Sequence, residues 1–229
     1  MQSKPLLVSI EGNLCSGKSS VLSQIKSHFG DECITFPDKN ESLVNFTSGA
    51  STITQILRWG HSMDGFNLNE NAFNYPSIFA VILFLERFSS STYNQIVAKQ
   101  SFGKKLAVVE QSTLSAIDVF ASVATNHIYP THKQMIDRIN ETFQPITPKP
   151  DLMIFLEASP NLLYQRIAER ARPEDSCVTI EYLQAIELRY HNLRAIVSSG
   201  ATPVFIVQTD HKSIEDVHHQ VLSIISNYI

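Results

Sequence analysis

Residues 6–20 read LLVSIEGNLCSGKSS, and this stretch decides the fold. Its first half is apolar and rich in strand formers. Gly12, Gly17, Lys18 and Ser19 then fill every fixed position of the G-x-x-x-x-G-K-[ST] phosphate loop. Behind it, SVLSQIKSHF at 20–29 spaces Val21, Leu22, Ile25 and Phe29 along one helical face. Strand, glycine turn and helix, in that order, are the context this motif needs. Gly12 and Gly17 let successive backbone N–H groups turn onto one concave face, and the helix N-terminus favours negative charge. Gly12, Asn13, Leu14, Cys15, Ser16, Gly17, Lys18, Ser19 and Ser20 are therefore the expected nucleotide site. Lys18 would reach the β- and γ-phosphates, and the Ser19 hydroxyl would ligate Mg²⁺. The plain alternative is a glycine turn that only joins strand to helix. The loop points to ATP or GTP and leaves open where the terminal phosphate goes.

Further along, short apolar runs at 5–11, 32–36, 105–110, 151–157 and 203–208 read as strands, each separated from the next by helical pattern. That alternation predicts an α/β protein with a five-stranded parallel sheet flanked by helices. LAVVE and LMIFLE look buried on both faces. Helices are expected near 18–29, 50–59, 75–98, 114–126, 131–143, 160–169, 179–198 and 212–227, with Pro76 in the first turn of the long one.

The chain has 229 residues with 43% hydrophobic and 17% charged residues, an ordinary globular balance. One domain over 1–229 is expected. A net charge of −4 argues against nucleic-acid binding through a general basic field. Cys15, Cys33 and Cys177 are scattered and odd in number, which suits a reducing, cytoplasmic setting better than a disulfide framework or zinc site. The most apolar run, IFAVILFL at 78–85, is too short to span a membrane. MQSKP leads straight into the first strand, so no signal or transit peptide is expected. His218 and His219 have no ligand-type neighbours in sequence and read as surface histidines.

Ligands in such a sheet sit at the carboxyl ends of the strands. Glu110 ends the third strand, where a carboxylate can hold Mg²⁺; the bland reading is a surface Glu. Asp38 follows Phe36-Pro37 and is the candidate base for a hydroxyl acceptor, with Glu41 as a fallback; a Pro-Asp turn is the alternative. RIAERARPED at 166–175 carries Arg166, Arg170 and Arg172, then Glu174 and Asp175. Three arginines there suit neutralisation of a transferring phosphoryl group, and Pro173 and the acidic pair then break the helix, as a mobile lid over about 167–178 needs. A solvated charged helix would read the same way.

Together, IEGNLCSGKSS at 10–20, EQSTLSAIDVFA at 110–121 and the stretch from PDLMIFLE through RARPEDSC to EYLQAIELRYHNL at 150–193 resemble the deoxyribonucleoside kinase family. The resemblance runs over most of the chain and thins between 36 and 100. It implies the phosphate-loop kinase sandwich, a helical pair forming a homodimer, and transfer of the ATP γ-phosphate, with Mg²⁺, to the 5′-hydroxyl of a deoxyribonucleoside. Carried over by residue, Glu110 is the metal carboxylate, and Arg166, Arg170 and Arg172 are the lid arginines. Asp175 meets the sugar 3′-hydroxyl, Phe79 stacks on the base, and Arg87 and Phe120 line the base pocket.

Three positions, Gln111, Ala80 and Asn69, depart from the pattern. Gln111 stands where the family has Arg, and Ala80 where it has a base-reading Gln. Ala116 matches the broader-specificity members, and Asn69 falls where a tyrosine is usual. FPDK at 36–39 is also similar to a thymidylate-kinase segment whose basic residue, Lys39 here, meets an acceptor monophosphate. Three readings therefore stand: a deoxynucleoside kinase, a deoxynucleoside monophosphate kinase, and a non-catalytic nucleotide-binding subunit.

Overall fold

A computed structural model describes residues 4–37, 75–124, 130–172, 175 and 178–229. Asp38, Lys39, Glu41 and Asn69 fall outside these residues, as do the expected helix 50–59 and the side chains of Phe79 and Ala80.

Five strands form one parallel sheet: β1 (Leu6–Gly12), β2 (Cys33–Phe36), β3 (Leu106–Glu110), β4 (Leu152–Glu157) and β5 (Val204–Gln208), in the order β2-β3-β1-β4-β5. Each begins and ends within one residue of expectation. β3 is buried along its whole length and β4 along all but its last residue, as LAVVE and LMIFLE imply. In register, Ile10 lies opposite Glu110 and Gly12 opposite Leu156, so the phosphate loop leaves the sheet between the ends of β3 and β4. Phe36 pairs with Val109, which brings the end of β2 to the same edge.

The period-two geometry of strands divides the core. Val8, Ile10, Leu152, Ile154 and Leu156 face α1 (Lys18–Phe29) and the C-terminal helix, meeting Leu22, Ile25, Val217 and Val221. Met153 and Phe155 face the other way, packing with Leu163, Ile167, Leu183, Ile186 and Tyr190. Each such buried side chain contributes about 1.5–3 kcal/mol relative to exposure. The second face carries α2 (Tyr75–Lys99), α4 (Pro160–Arg170) and α5 (Ile180–Ser198), with α3 (Pro130–Phe143) packed outside α2; the C-terminal helix is α6 (Ile214–Ser226).

One expected α-helix is different. Residues Ser115–Ala121 wind as a π-helix before a short α-turn at Ser122–Ala124. Its start is pinned from two sides. The Ser112 N–H donates to Glu11 Oε1 at 2.9 Å, and the Ser115 hydroxyl donates to Glu11 Oε2. The Thr113 N–H donates to Gln95 Oε1 at 2.6 Å, while Gln95 Nε2 donates to the Pro148 carbonyl at 2.5 Å. Apolar spacing at Val119, Phe120 and Ala121 suits either winding, so the wider turn left no mark on the periodicity.

Candidate active site

A cavity of about 700 Å³ opens at the carboxyl edge of the sheet. Leu14 to Val21 line its floor. Glu110, Gln111 and Arg87 enter from the β3 side, and Arg166, Arg170, Arg172 and Asp175 from α4 and the segment after it. Thr209, Lys212, Ser213, Ile214, Val217 and His218 enter from the β5 side.

The loop geometry explains its glycines. Gly12 has φ +148°, and a Cβ there would stand 2.6 Å from both the Leu156 carbonyl and Ser16 Oγ. Gly17 adopts a left-handed conformation at the start of α1, which has no side-chain cap and no acidic residue in its first turn. By contrast Thr179 caps α5 and Ser213 caps α6. Gly12→Ala is expected to cost about 1–3 kcal/mol of stability through overpacking. Thermal unfolding would measure the loss.

Lys18 is buried, and its Nζ donates to the Gly12 carbonyl at 3.1 Å and the Asn13 carbonyl at 2.9 Å. The ammonium is thus held over the loop. Ser19 Oγ donates to Glu110 Oε1 at 3.0 Å. Among the described residues no cluster of three or more His, Cys, Asp or Glu side chains could hold a metal. Mg²⁺ needs less, because it keeps several waters and takes one or two protein ligands. Ser19 and Glu110 could supply such a donor set. Ser16 Oγ is buried and meets no hydrogen-bond partner among the described residues, an orphan that a phosphate oxygen would satisfy.

On the β3 side, Gln111 sits in a left-handed turn at φ 65° with its N–H on the Ile10 carbonyl at 3.0 Å. Arg87 Nη1 donates to Gln111 Oε1 at 3.4 Å, and its guanidinium carbon lies 4.2 Å from the centroid of the Phe120 ring. The Arg170 guanidinium pairs with the buried Asp175 carboxylate. Arg166 donates from Nη2 to the Thr209 carbonyl and from Nη1 to Thr209 Oγ1, both at 3.2 Å, and from Nη1 to the Cys15 carbonyl at 3.4 Å. Burial pushes the Cys15 thiol above its ordinary range, against the pull of Arg170. On the β5 side, His218 Nε2 and Ser20 Oγ are 3.0 Å apart. Burial lowers the His218 pKa, opposed by the charge of Glu215.

The sequence profile of the deoxynucleoside kinases matches residues 8–229. The chain belongs to the deoxynucleoside kinase family. This kinase is 25% identical over 225 residues to the probable deoxycytidine kinase of Fowlpox virus, which covers 96% of this chain and 85% of the viral one. It is 22% identical over 218 residues to mitochondrial thymidine kinase 2 of Macaca fascicularis, covering 91% of this chain and 72% of that one. A 63-residue segment is 32% identical to the human mitochondrial thymidine kinase 2.

The kinase brings most of the expected residues to one cavity, while Gly12, Asn13, Ala116 and Phe120 are not among its lining. Asn13 does not line the cavity: Nδ2 donates to the Leu183 carbonyl at 2.8 Å and Oδ1 accepts the Leu14 N–H, bracing the loop against α5. Ala116 and Phe120 are buried and do not line it either; Phe120 lies beneath Arg87 and edge-on to Tyr190. α4 ends at Arg170, within one residue of the expected 169, with Ala171 left-handed, and its Ile167 is part of the core. His218 is no isolated surface residue, because it meets the phosphate-loop helix, whereas His219 is exposed.

Two groups escaped sequence reasoning. Glu11 is fully buried, and its only signal was a charge inside an apolar strand one residue before the loop. The cavity wall after β5 carries no motif; its signal was position alone, since every strand in a parallel sheet ends at the ligand edge. No helix among the described residues is long and apolar enough to cross a membrane.

Proposed function

We propose that this chain transfers the γ-phosphoryl group of ATP to the 5′-hydroxyl of a deoxyribonucleoside. The observation that carries the reading is one continuous cavity. It joins the phosphate loop and the Ser19–Glu110 pair to the lid arginines on one wall and to Arg87 and Gln111 on another. The orphaned Ser16 hydroxyl and the space kept by Gly12 fit a polyphosphate. Ser19 and Glu110 would hold Mg²⁺, which when bound neutralises charge between the β- and γ-phosphates.

In this reading Lys18 binds the β- and γ-phosphates. Arg170 and Arg172 take up charge on the transferring group. The acceptor oxygen bonds to the γ-phosphorus as the bond to the β-bridging oxygen breaks, and its proton passes to Asp38. Arg87 and Gln111 hold the acceptor, with Phe79 against its base and Asp175 at its sugar. The working unit is a single catalytic domain, paired as a homodimer in the cytoplasm.

FPDK at 36–39 and Ala80 motivate a second reading. Lys39, following Asp38, suits an acceptor that already carries a phosphate, and Ala80 lacks the base-reading amide of a nucleoside site. A panel of deoxynucleosides and their monophosphates, each with ATP and Mg²⁺, separates the two. Turnover of at least one nucleoside is expected. Turnover of monophosphates alone moves the assignment to a monophosphate kinase, and ATP binding without turnover moves it to a binding subunit. Asp38→Ala should lower kcat by about 10²- to 10⁴-fold; an unchanged kcat removes Asp38 as the base.

A further inference from the structure

The sheet order places β3 and β5 on opposite sides of β1. Groups that follow β3, Glu110 and Gln111, therefore flank the phosphate loop on one side, and groups that follow β5 flank it on the other. With the terminal phosphate at Lys18 and the Ser19–Glu110 pair, and the acceptor on the β3 side, the rest of the donor leaves toward β5. The last hydroxyl of the loop on that path is Ser20, in the first turn of α1. Its partner is His218 of α6, with Oγ and Nε2 3.0 Å apart. The two helices pack against each other, so the pairing joins two elements that the core already holds together. Around the pair, Lys212 supplies a cation and Ile214 an exposed apolar side chain to the same cavity. A cation, a hydroxyl and an apolar surface side by side match the α-phosphate, ribose and base of a nucleotide.

We infer that His218 is a positioning residue for the donor, holding the Ser20 hydroxyl toward the α-phosphate and ribose of the nucleoside triphosphate. The inference rests on the ATP-dependent reading above and adds a residue from outside every motif that led to it. Asn or Gln at 218 can keep a hydrogen bond to Ser20; Ala cannot.

The test is calorimetric ATP binding to the full chain, with steady-state kinetics in both substrates. His218→Ala is expected to raise the ATP Kd and KM about three- to tenfold, the effect of one lost hydrogen bond, with the acceptor KM and the melting temperature unchanged. His218→Gln should recover most of the affinity. Because His218 acts through Ser20, the double variant Ser20→Ala/His218→Ala should bind ATP no more weakly than the weaker single variant. Wild-type ATP affinity in His218→Ala overturns the inference and leaves the kinase reading standing. So do additive losses in the double variant, or a parallel loss of acceptor affinity and melting temperature. A wild-type chain that binds no ATP overturns both.

Discussion

Lys18→Ala is expected to lower kcat/KM by about 10³-fold or more, while the chain stays folded. The lysine is 7% exposed, and its ammonium is fixed by two loop carbonyls on the concave side that the glycines open. A triphosphate offers this ammonium charged oxygens in place of neutral carbonyls, and the gain grows as charge accumulates in the transition state. Removing it takes away a pre-aligned cation that no water replaces without reorganisation. Lys18→Arg should rescue little, because a planar fork cannot occupy a pocket shaped for a compact ammonium. Steady-state kinetics with ATP and an accepted nucleoside, alongside thermal melting, would check this. Activity within tenfold of wild type would show that Lys18 does not contact the transferring group.

Glu11→Ala should cost about 3 kcal/mol or more in urea unfolding, the largest stability loss expected of a single polar side chain here. Glu11 is fully buried. Its carboxylate accepts from the Ser9 hydroxyl, the Ser112 N–H and the Ser115 hydroxyl, and so ties β1 to the turn that follows β3. Alanine leaves those donors buried without their acceptor and opens a void beside them. Glu11→Gln keeps the shape and one oxygen, so its loss should be smaller. The disruption should also reach activity, because the turn that Glu11 holds carries Gln111 next to Glu110. A Glu11→Ala midpoint equal to that of wild type would mean the carboxylate contributes nothing net.

Much of this molecule is legible in sequence because its signals are local. The phosphate loop is a chemical motif, and the strands are short apolar runs between helical segments, so both are found where expected. Glu110 was placed by one step of inference, an apolar strand delivering its last residue to the ligand edge. What escaped depends on distance along the chain. Glu11 meets Ser112 and Ser115 more than a hundred residues away, and Asn13 turns to Leu183. Arg166 shares its helix face with Arg170, yet one reaches Thr209 and the other Asp175, a division that spacing cannot express. The family resemblance named Ala116 and Phe120 as pocket residues. Here the π-turn carries them under the wall, with Arg87 above Phe120. The proposed base, Asp38, falls outside the described residues, and mutagenesis has to judge it.

The cavity also divides the charge of the molecule. Lys18, Arg87, Arg166, Arg170, Arg172 and Lys212 line it against Glu110, Glu169 and Asp175, an excess of positive charge among the described residues. The whole chain carries −4, so everything outside the cavity is more acidic than the total suggests. A free polyphosphate is therefore drawn to this mouth more than to the rest of the protein taken together. The charges of the cleft thus act on an anion before any hydrogen bond to it forms.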